Sequence, residues 1–142
     1  MEKYMLEALK EANKAFKLGE VPIGAVIVKD DKIISRAFNK KESSNLATSH
    51  AEILAINKAC KKLNNWRLLD CTLYVTVEPC LMCCGAIIQS RIKKVVYGTS
   101  NEYYGAVESI DNTLKKYNIE VESNILQNKC SYILKEFFKK RR

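Results

Sequence analysis

Apolar and small residues recur at Met5, Ala8, Leu9, Ala12, Ala15 and Phe16. This is the i, i+3, i+4, i+7 spacing of a helix with one buried face, and Gly19 follows as a natural stop. The period then changes. "VPIGAVIVKDDKIISRAF" carries β-branched residues on two arms either side of Asp30 and Asp31, which predicts a hairpin. A polar loop from Asn39 to Ser49 follows, in which Thr48 or Ser49 is placed to cap a helix beginning near His50. That helix is expected to run to about Lys62 and to bury Ile53, Leu54, Ile56 and Ala59. "CTLYVTV" reads as a short buried strand, "PCLMCCGAIIQS" as a second helix with Pro79 before it or in its first turn, and "KKVVYG" as another strand. After an irregular stretch from Tyr103 to Asn112, "NIEVES" suggests a last strand and Asn128 to Lys140 a closing helix. Strands joined through helices imply a sheet covered on both faces, with parallel pairing where a helix makes the connection. The expected architecture is a single α/β/α domain over residues 1–142.

Composition changes this picture little. Hydrophobic residues make up 47% and charged residues 28% of the 142 positions, an ordinary globular balance with no low-complexity tract. No apolar run approaches the ~18 residues of a membrane span, and the N-terminal segment alternates charge with apolar residues, unlike a signal peptide. The expectation is a soluble, cytoplasmic chain without membrane attachment. Six cysteines in a reducing compartment then argue for thiols or metal ligands rather than a disulfide framework. Charge is more telling. Lys and Arg exceed Asp and Glu by 24 to 16, and from Lys129 to Arg142 there are six basic residues against the single acid Glu136. Such an end is either a solvated tail or a contact for phosphates.

The chemistry concentrates at two predicted helix starts. The only histidine, His50, stands in "TSHAEILAI", and three cysteines crowd "VEPCLMCCG". A helix start exposes unpaired N–H groups and the positive end of the dipole, which favour thiolate over thiol. Cys80 and Cys83, three apart, share a helical face and can grip one ion. A C-x-x-C pair also serves as a redox couple or as half of a structural zinc site. Cys60, Cys71 and Cys130 are isolated from one another and read as small buried hydrophobes, so a second ligand pair is absent. His50 with Cys80 and Cys83 makes three ligands and leaves a fourth zinc position open for water, the arrangement of a catalytic site. Glu52 is the candidate proton carrier. Positions two apart do not share a helical face, so His50 and Glu52 can cooperate only if the pocket lies at the helix end. Cys84 points about 100° from Cys83 on an ideal helix and is expected to pack.

"HAE" paired with "PCLMC" resembles the zinc deaminase superfamily. The resemblance runs from Met5 to Phe138, through "VPIGAVIV", "FN" at Asn39, "HAEILAI", "NWRLLDCTLYVTVEPCLMCCGAIIQSRIKKVVYG" and the closing "EFF". Within the superfamily it is similar to the bacterial branch that hydrolytically converts the wobble adenosine (position 34) of an arginine tRNA to inosine. The resemblance implies a cytidine deaminase-like three-layer α/β/α fold, with a central mixed five-stranded sheet and helices on both faces. It implies one zinc per subunit on His50, Cys80 and Cys83, Glu52 as proton shuttle, and Asn39 helping to hold the flipped nucleoside. It also implies a homodimer whose partner helps form the RNA surface. For the anticodon arm, the closing helix would offer Phe137 and Phe138 on its packed or base-contacting side, and Lys139 to Arg142, including Arg141 and Arg142, to phosphates. The same zinc chemistry would serve a guanine, cytosine or nucleoside deaminase, against which the net charge and the basic end argue. A non-enzymatic zinc module binding RNA would have no use for Glu52.

Overall fold

The structure, a computed structural model, describes residues 1–141. Helix α1 (Glu2–Lys17) leads into strand β1 (Gly24–Lys29) and strand β2 (Lys32–Phe38), then the one-turn helix α2 (Lys41–Ser44) and helix α3 (Ala51–Leu63). Strand β3 (Cys71–Val77), helix α4 (Leu81–Gln89) and strand β4 (Lys94–Thr99) follow, and strand β5 (Glu120–Glu122) and helix α5 (Gln127–Lys140) complete the described chain. The five strands form one sheet in the order β2-β1-β3-β4-β5. β1 is antiparallel to both of its neighbours, whereas β3, β4 and β5 run parallel. No helix among the described residues is long and apolar enough to cross a membrane.

The hairpin turns where the sequence predicts it. Asp30 and Asp31 both take left-handed backbone conformations (φ 51° and 60°), the two-residue turn whose twist matches paired strands and which short acidic side chains tolerate. Period-2 alternation then sorts the strands onto two cores. Ala25 and Ile27 of β1, Leu73 and Val75 of β3, and Val95 and Tyr97 of β4 face Ala55 and Ala59 of α3 and Cys84 and Ile87 of α4. Their neighbours Val26, Val28, Tyr74 and Val96 face Met5 and Ala8 of α1 and Cys130 of α5. The expected three layers are present.

Three details depart from the sequence reading. The residue capping α3 is His50 itself, without a side-chain capping bond; its carbonyl accepts the Leu54 N–H and its ring is turned toward the cysteines. The inward face of α3 is Ala51, Glu52, Ala55, Ile56 and Ala59, while Ile53 and Leu54 are only half-buried. The last strand is three residues long, an edge whose Glu120 and Glu122 both pair with Lys94 on β4, charges that blunt an open edge.

α1 approaches β1 so closely that a Cβ on Gly24 would run into the Ala8 carbonyl oxygen and the Ala12 amide nitrogen. Backbone cannot swing aside as a flexible side chain can. Gly24→Ala is therefore expected to lower stability by about 1–3 kcal/mol, read as a shifted urea midpoint with an unchanged slope.

Candidate active site

The topology brings the two motifs together. β2 and β3 flank β1 and are both antiparallel to it, so they point the same way, and β4 is parallel to β3. Their C-terminal ends meet at one edge of the sheet, where α3 and α4 begin and where the segment before β1 enters. Clefts of α/β proteins lie at such an edge.

His50 is the last extended residue before α3 (φ −75°, ψ 150°) and Cys80 the last before α4 (φ −77°, ψ 176°). Cys83 stands in the first turn of α4, which the Cys84 N–H closes onto the Cys80 carbonyl at 2.9 Å. His50 Nδ1 lies 3.7 Å from Cys80 Sγ and 3.5 Å from Cys83 Sγ, and the three ligand atoms all lie within 4.8 Å of one another. Donors bonded at about 2.0 Å (nitrogen) and 2.3 Å (sulfur) to one tetrahedral ion stand about 3.5 Å apart, so this donor set fits zinc. Cys84 is not part of the group; its fully buried thiol faces the Pro79 carbonyl at 3.9 Å, and burial pushes it up to about 12.

The electrostatics suit a cation. The neighbouring Cys83 sulfur and then His50 pull Cys80 down to about 4, against the effect of burial. Cys80 beside it, with burial, pushes Cys83 up. His50 is raised by its hydrogen bond to Cys80, against the effect of burial.

Glu52 is the second residue of α3 and only 4% exposed. Burial raises its carboxyl to about 7, against the opposing pull of its own backbone N–H and of His50. Glu52, His50 and Cys80 share a cleft of about 390 Å³. The requirement that the pocket sit at the helix end is met. Four of the five strands add to this cleft at their ends: Val21 and Ile23 before β1, Asn39 and Lys41 after β2, Glu78 after β3, and Asn101 and Tyr104 after β4. Asn39 lines it with part of its amide engaged, Oδ1 accepting the Lys41 N–H at 3.2 Å and Nδ2 donating to the Val21 carbonyl at 3.3 Å.

Sequence reasoning missed two buried carboxylates that shape the rim. Glu20, 1% exposed, accepts the Glu42 N–H at 3.0 Å and the Ser43 N–H. Glu78, 2% exposed, accepts the N–H groups of Asn101, Val107, Glu108 and Ser109. For both, burial opposes ionisation and the N–H donors outweigh it, holding the carboxyls below the ordinary range. A glutamate set between an apolar strand and Pro79 was the available sign for Glu78.

The closing helix is not at this cleft. Phe137, expected on the packed or base-contacting side, is on the packed side: its ring is 6% exposed, 6.0 Å from Phe16 and 5.3 Å from Phe138, with the Arg141 guanidinium 4.4 Å from its centroid. Interior packing corrects its assignment as a base contact, because no base can reach a covered ring. Phe138 is half-exposed and, with Lys135 and Lys139, borders a groove beside Thr99 and Ser100 at the end of β4. Arg142 lies outside the described residues.

A helix-covered mixed sheet, with a histidine and two cysteines converging on a buried glutamate at two helix starts, defines a deaminase of the cytidine deaminase-like fold. The sequence pattern of the MafB19-like deaminases matches residues 1–142, and the chain belongs to that family. The tRNA-specific adenosine deaminase of Streptococcus pyogenes serotype M1 is 48% identical over 143 residues, covering 98% of this chain and 84% of that protein. That of Bacillus subtilis strain 168 is 46% identical over 145 residues, covering 99% and 90%. A structure solved in a study of A-to-I editing by tRNA:A34 deaminases superposes with a TM-score of 0.90 at 39% identity, covering 94% of this chain and all of that one.

Proposed function

We propose that this chain, as one deaminase domain, hydrolyses the wobble adenosine of a tRNA, an arginine tRNA by the resemblance, to inosine and ammonia. The observation that carries the reading is Glu52, a carboxylate raised by burial and opening onto the same cleft as His50 and Cys80, in a chain whose relatives are tRNA-specific adenosine deaminases.

His50, Cys80 and Cys83 would hold one zinc per subunit. Zinc with a free fourth position supplies Lewis acidity that lowers the pKa of water toward neutrality. Glu52 does the proton work: it accepts a proton as water attacks adenine C6 and returns it to ring N1. It then carries the proton from the new C6 oxygen to the exocyclic nitrogen, which leaves as ammonia as the C6–N6 bond breaks. Asn39 holds the flipped nucleoside through whatever capacity its amide keeps beyond the two backbone bonds. Support for a homodimer comes from Leu81 and Met82, apolar side chains of the first turn of α4 that are 65% and 37% exposed.

For the anticodon arm, Phe138 offers an open ring flanked by Lys135 and Lys139, and Arg141 adds charge at the end of the helix. Replacing both lysines by alanine is expected to reduce the slope of log affinity against log salt by about 2, with zinc content unchanged. An unaltered slope would remove this helix from the RNA surface.

The test of the function is inosine formation on an arginine tRNA bearing adenosine at the wobble position, run beside free adenosine, cytidine and guanine. Conversion of the tRNA alone is expected. Conversion of a free base or nucleoside instead would keep the chemistry and overturn the substrate.

A further inference from the structure

The loop after β4 carries Glu102, Glu108 and Asp111, so its charge repels phosphates, yet it reaches the cleft. It is held with unusual thoroughness. The Glu78 carboxylate accepts the N–H of Asn101 at 3.1 Å, of Val107 at 3.1 Å, of Glu108 at 2.8 Å and of Ser109 at 2.9 Å, and the Ser109 hydroxyl as well. The Tyr97 hydroxyl donates to the Glu108 carboxylate at 2.6 Å. Gly105 pairs with Cys80 in an isolated antiparallel bridge, and the Ala106 N–H reaches the Pro79 carbonyl at 2.9 Å. A Cβ on Gly105 would collide with the Glu78 carboxyl carbon and the Asn101 carbonyl oxygen, so a glycine is required where the loop passes the carboxylate.

These bonds fix a loop whose outward product is an aromatic ring. Asn101 Oδ1 accepts the Tyr104 N–H at 3.2 Å, and Tyr104 lines the cleft while 72% exposed. An exposed tyrosine on a mobile loop would have to be ordered at each binding event; on an anchored loop that cost is already met by the fold. Repelling phosphate while presenting an aromatic face suits an unstacked base and not a backbone.

Building on the deaminase reading above, we infer that Tyr104 is a stacking platform for a base of single-stranded RNA beside the adenosine, and that Glu78 is the positioning residue that holds it at the cleft mouth. Tyr104 belongs to substrate binding. Glu78 acts through the loop.

The test uses the zinc-loaded protein and an anticodon stem-loop RNA with adenosine at the wobble position. Tyr104→Ala is expected to raise KM about tenfold with kcat within about twofold, and Tyr104→Phe to restore KM to within about twofold. Glu78→Gln, which sets an amide N–H₂ against N–H donors, is expected to raise KM similarly, to keep one zinc per chain, and to speed amide exchange at Val107, Glu108 and Ser109. In that background Tyr104→Ala should change KM less than about twofold, because the platform is already displaced. An unchanged KM in Tyr104→Ala would overturn the platform. Additive effects of the two changes, or loss of zinc in Glu78→Gln, would overturn the positioning role. Should Glu78→Gln not fold, Ser109→Ala removes one anchor and takes its place in the cycle. If the wild-type protein leaves the RNA unconverted, the functional reading falls and this inference with it; if it converts the RNA and Tyr104→Ala equals wild type, only the inference falls.

Discussion

Glu52→Gln is expected to lose about a thousandfold or more in turnover, within the 10²–10⁴ range of a general acid–base residue acting at more than one proton transfer, while keeping its zinc. The change is nearly isosteric and removes only the capacity to accept and return a proton. The environment predicts the accompanying effect on stability. Burial raises the Glu52 carboxyl from 4.5 to about 7. A carboxyl whose folded pKa lies above its unfolded value contributes stability present below the unfolded value, and that contribution is lost as pH rises through the folded one. Above pH 7 the metal-free wild-type protein therefore bears the cost of ionising a buried acid, and Glu52→Gln escapes it. In metal-free form the variant should melt above wild type at pH 8 and match it at pH 4, the gap not exceeding about 3 kcal/mol. A dead variant that is also less stable at pH 8 would mean that Glu52 holds the site together, and proton transfer would have to be sought elsewhere.

What the sequence disclosed, and what it hid, divides along physical lines. The two helix starts were legible because of their joint content: a first-turn glutamate is ordinary and a histidine or a C-x-x-C pair alone reports nothing, but the three together report a site. The hairpin at Asp30 and Asp31 was legible because few residues tolerate two consecutive left-handed positions. Glu20 and Glu78 were not legible as anchors, because a glutamate is ordinarily a surface residue and its backbone partners lie 22 to 31 positions away. Phe137 and Phe138, adjacent on a helix, point about 100° apart, so only one can face the core. Composition does not say which; the packing of Phe16 against Phe137 does. His50 illustrates the opposite limit. A serine or threonine before α3 suggested a side-chain cap, but the entry to the helix is set by the ring that must reach Cys80 and Cys83.

The site also shows why two helix starts, rather than one, are used. A single helix start supplies Cys80 and Cys83, but in the proposed site Glu52 would have to sit near the ion without ligating it. Placing it two residues into a second helix does this: His50 leaves the extended segment toward the cysteines, and Glu52, already helical, turns inward beside them. The β1 strand between β2 and β3 sets the spacing of the two starts. A buried ionised acid beside two sulfurs is costly without a cation, so a metal held there and the glutamate would stabilise each other's presence.

Cys83→Ser should separate that dependence from catalysis. Cys83 is fully buried, and its Sγ lies 3.5 Å from His50 Nδ1. Serine preserves the volume approximately but offers a hydroxyl that stays protonated at neutral pH, leaving two ligands where zinc needs three from the protein. Loss of a residue that merely orients a ligand costs 10–100-fold in metal affinity; loss of the ligand itself should cost more than about 100-fold, and inosine formation should fall to background. Cys84→Ala is the control, expected to retain one zinc per chain because its thiol faces the Pro79 carbonyl. pH supplies an independent check. Zinc must displace a proton from the facing Cys80 and Cys83 thiols, of which Cys83 is pushed up by Cys80 beside it and by burial. Affinity for zinc should therefore rise with pH and proton release should accompany binding, both measurable by calorimetry in buffers of different ionisation enthalpy. Full zinc content in Cys83→Ser, with zinc lost in Cys84→Ala, would exchange the two assignments and move the metal to the far side of the first turn of α4.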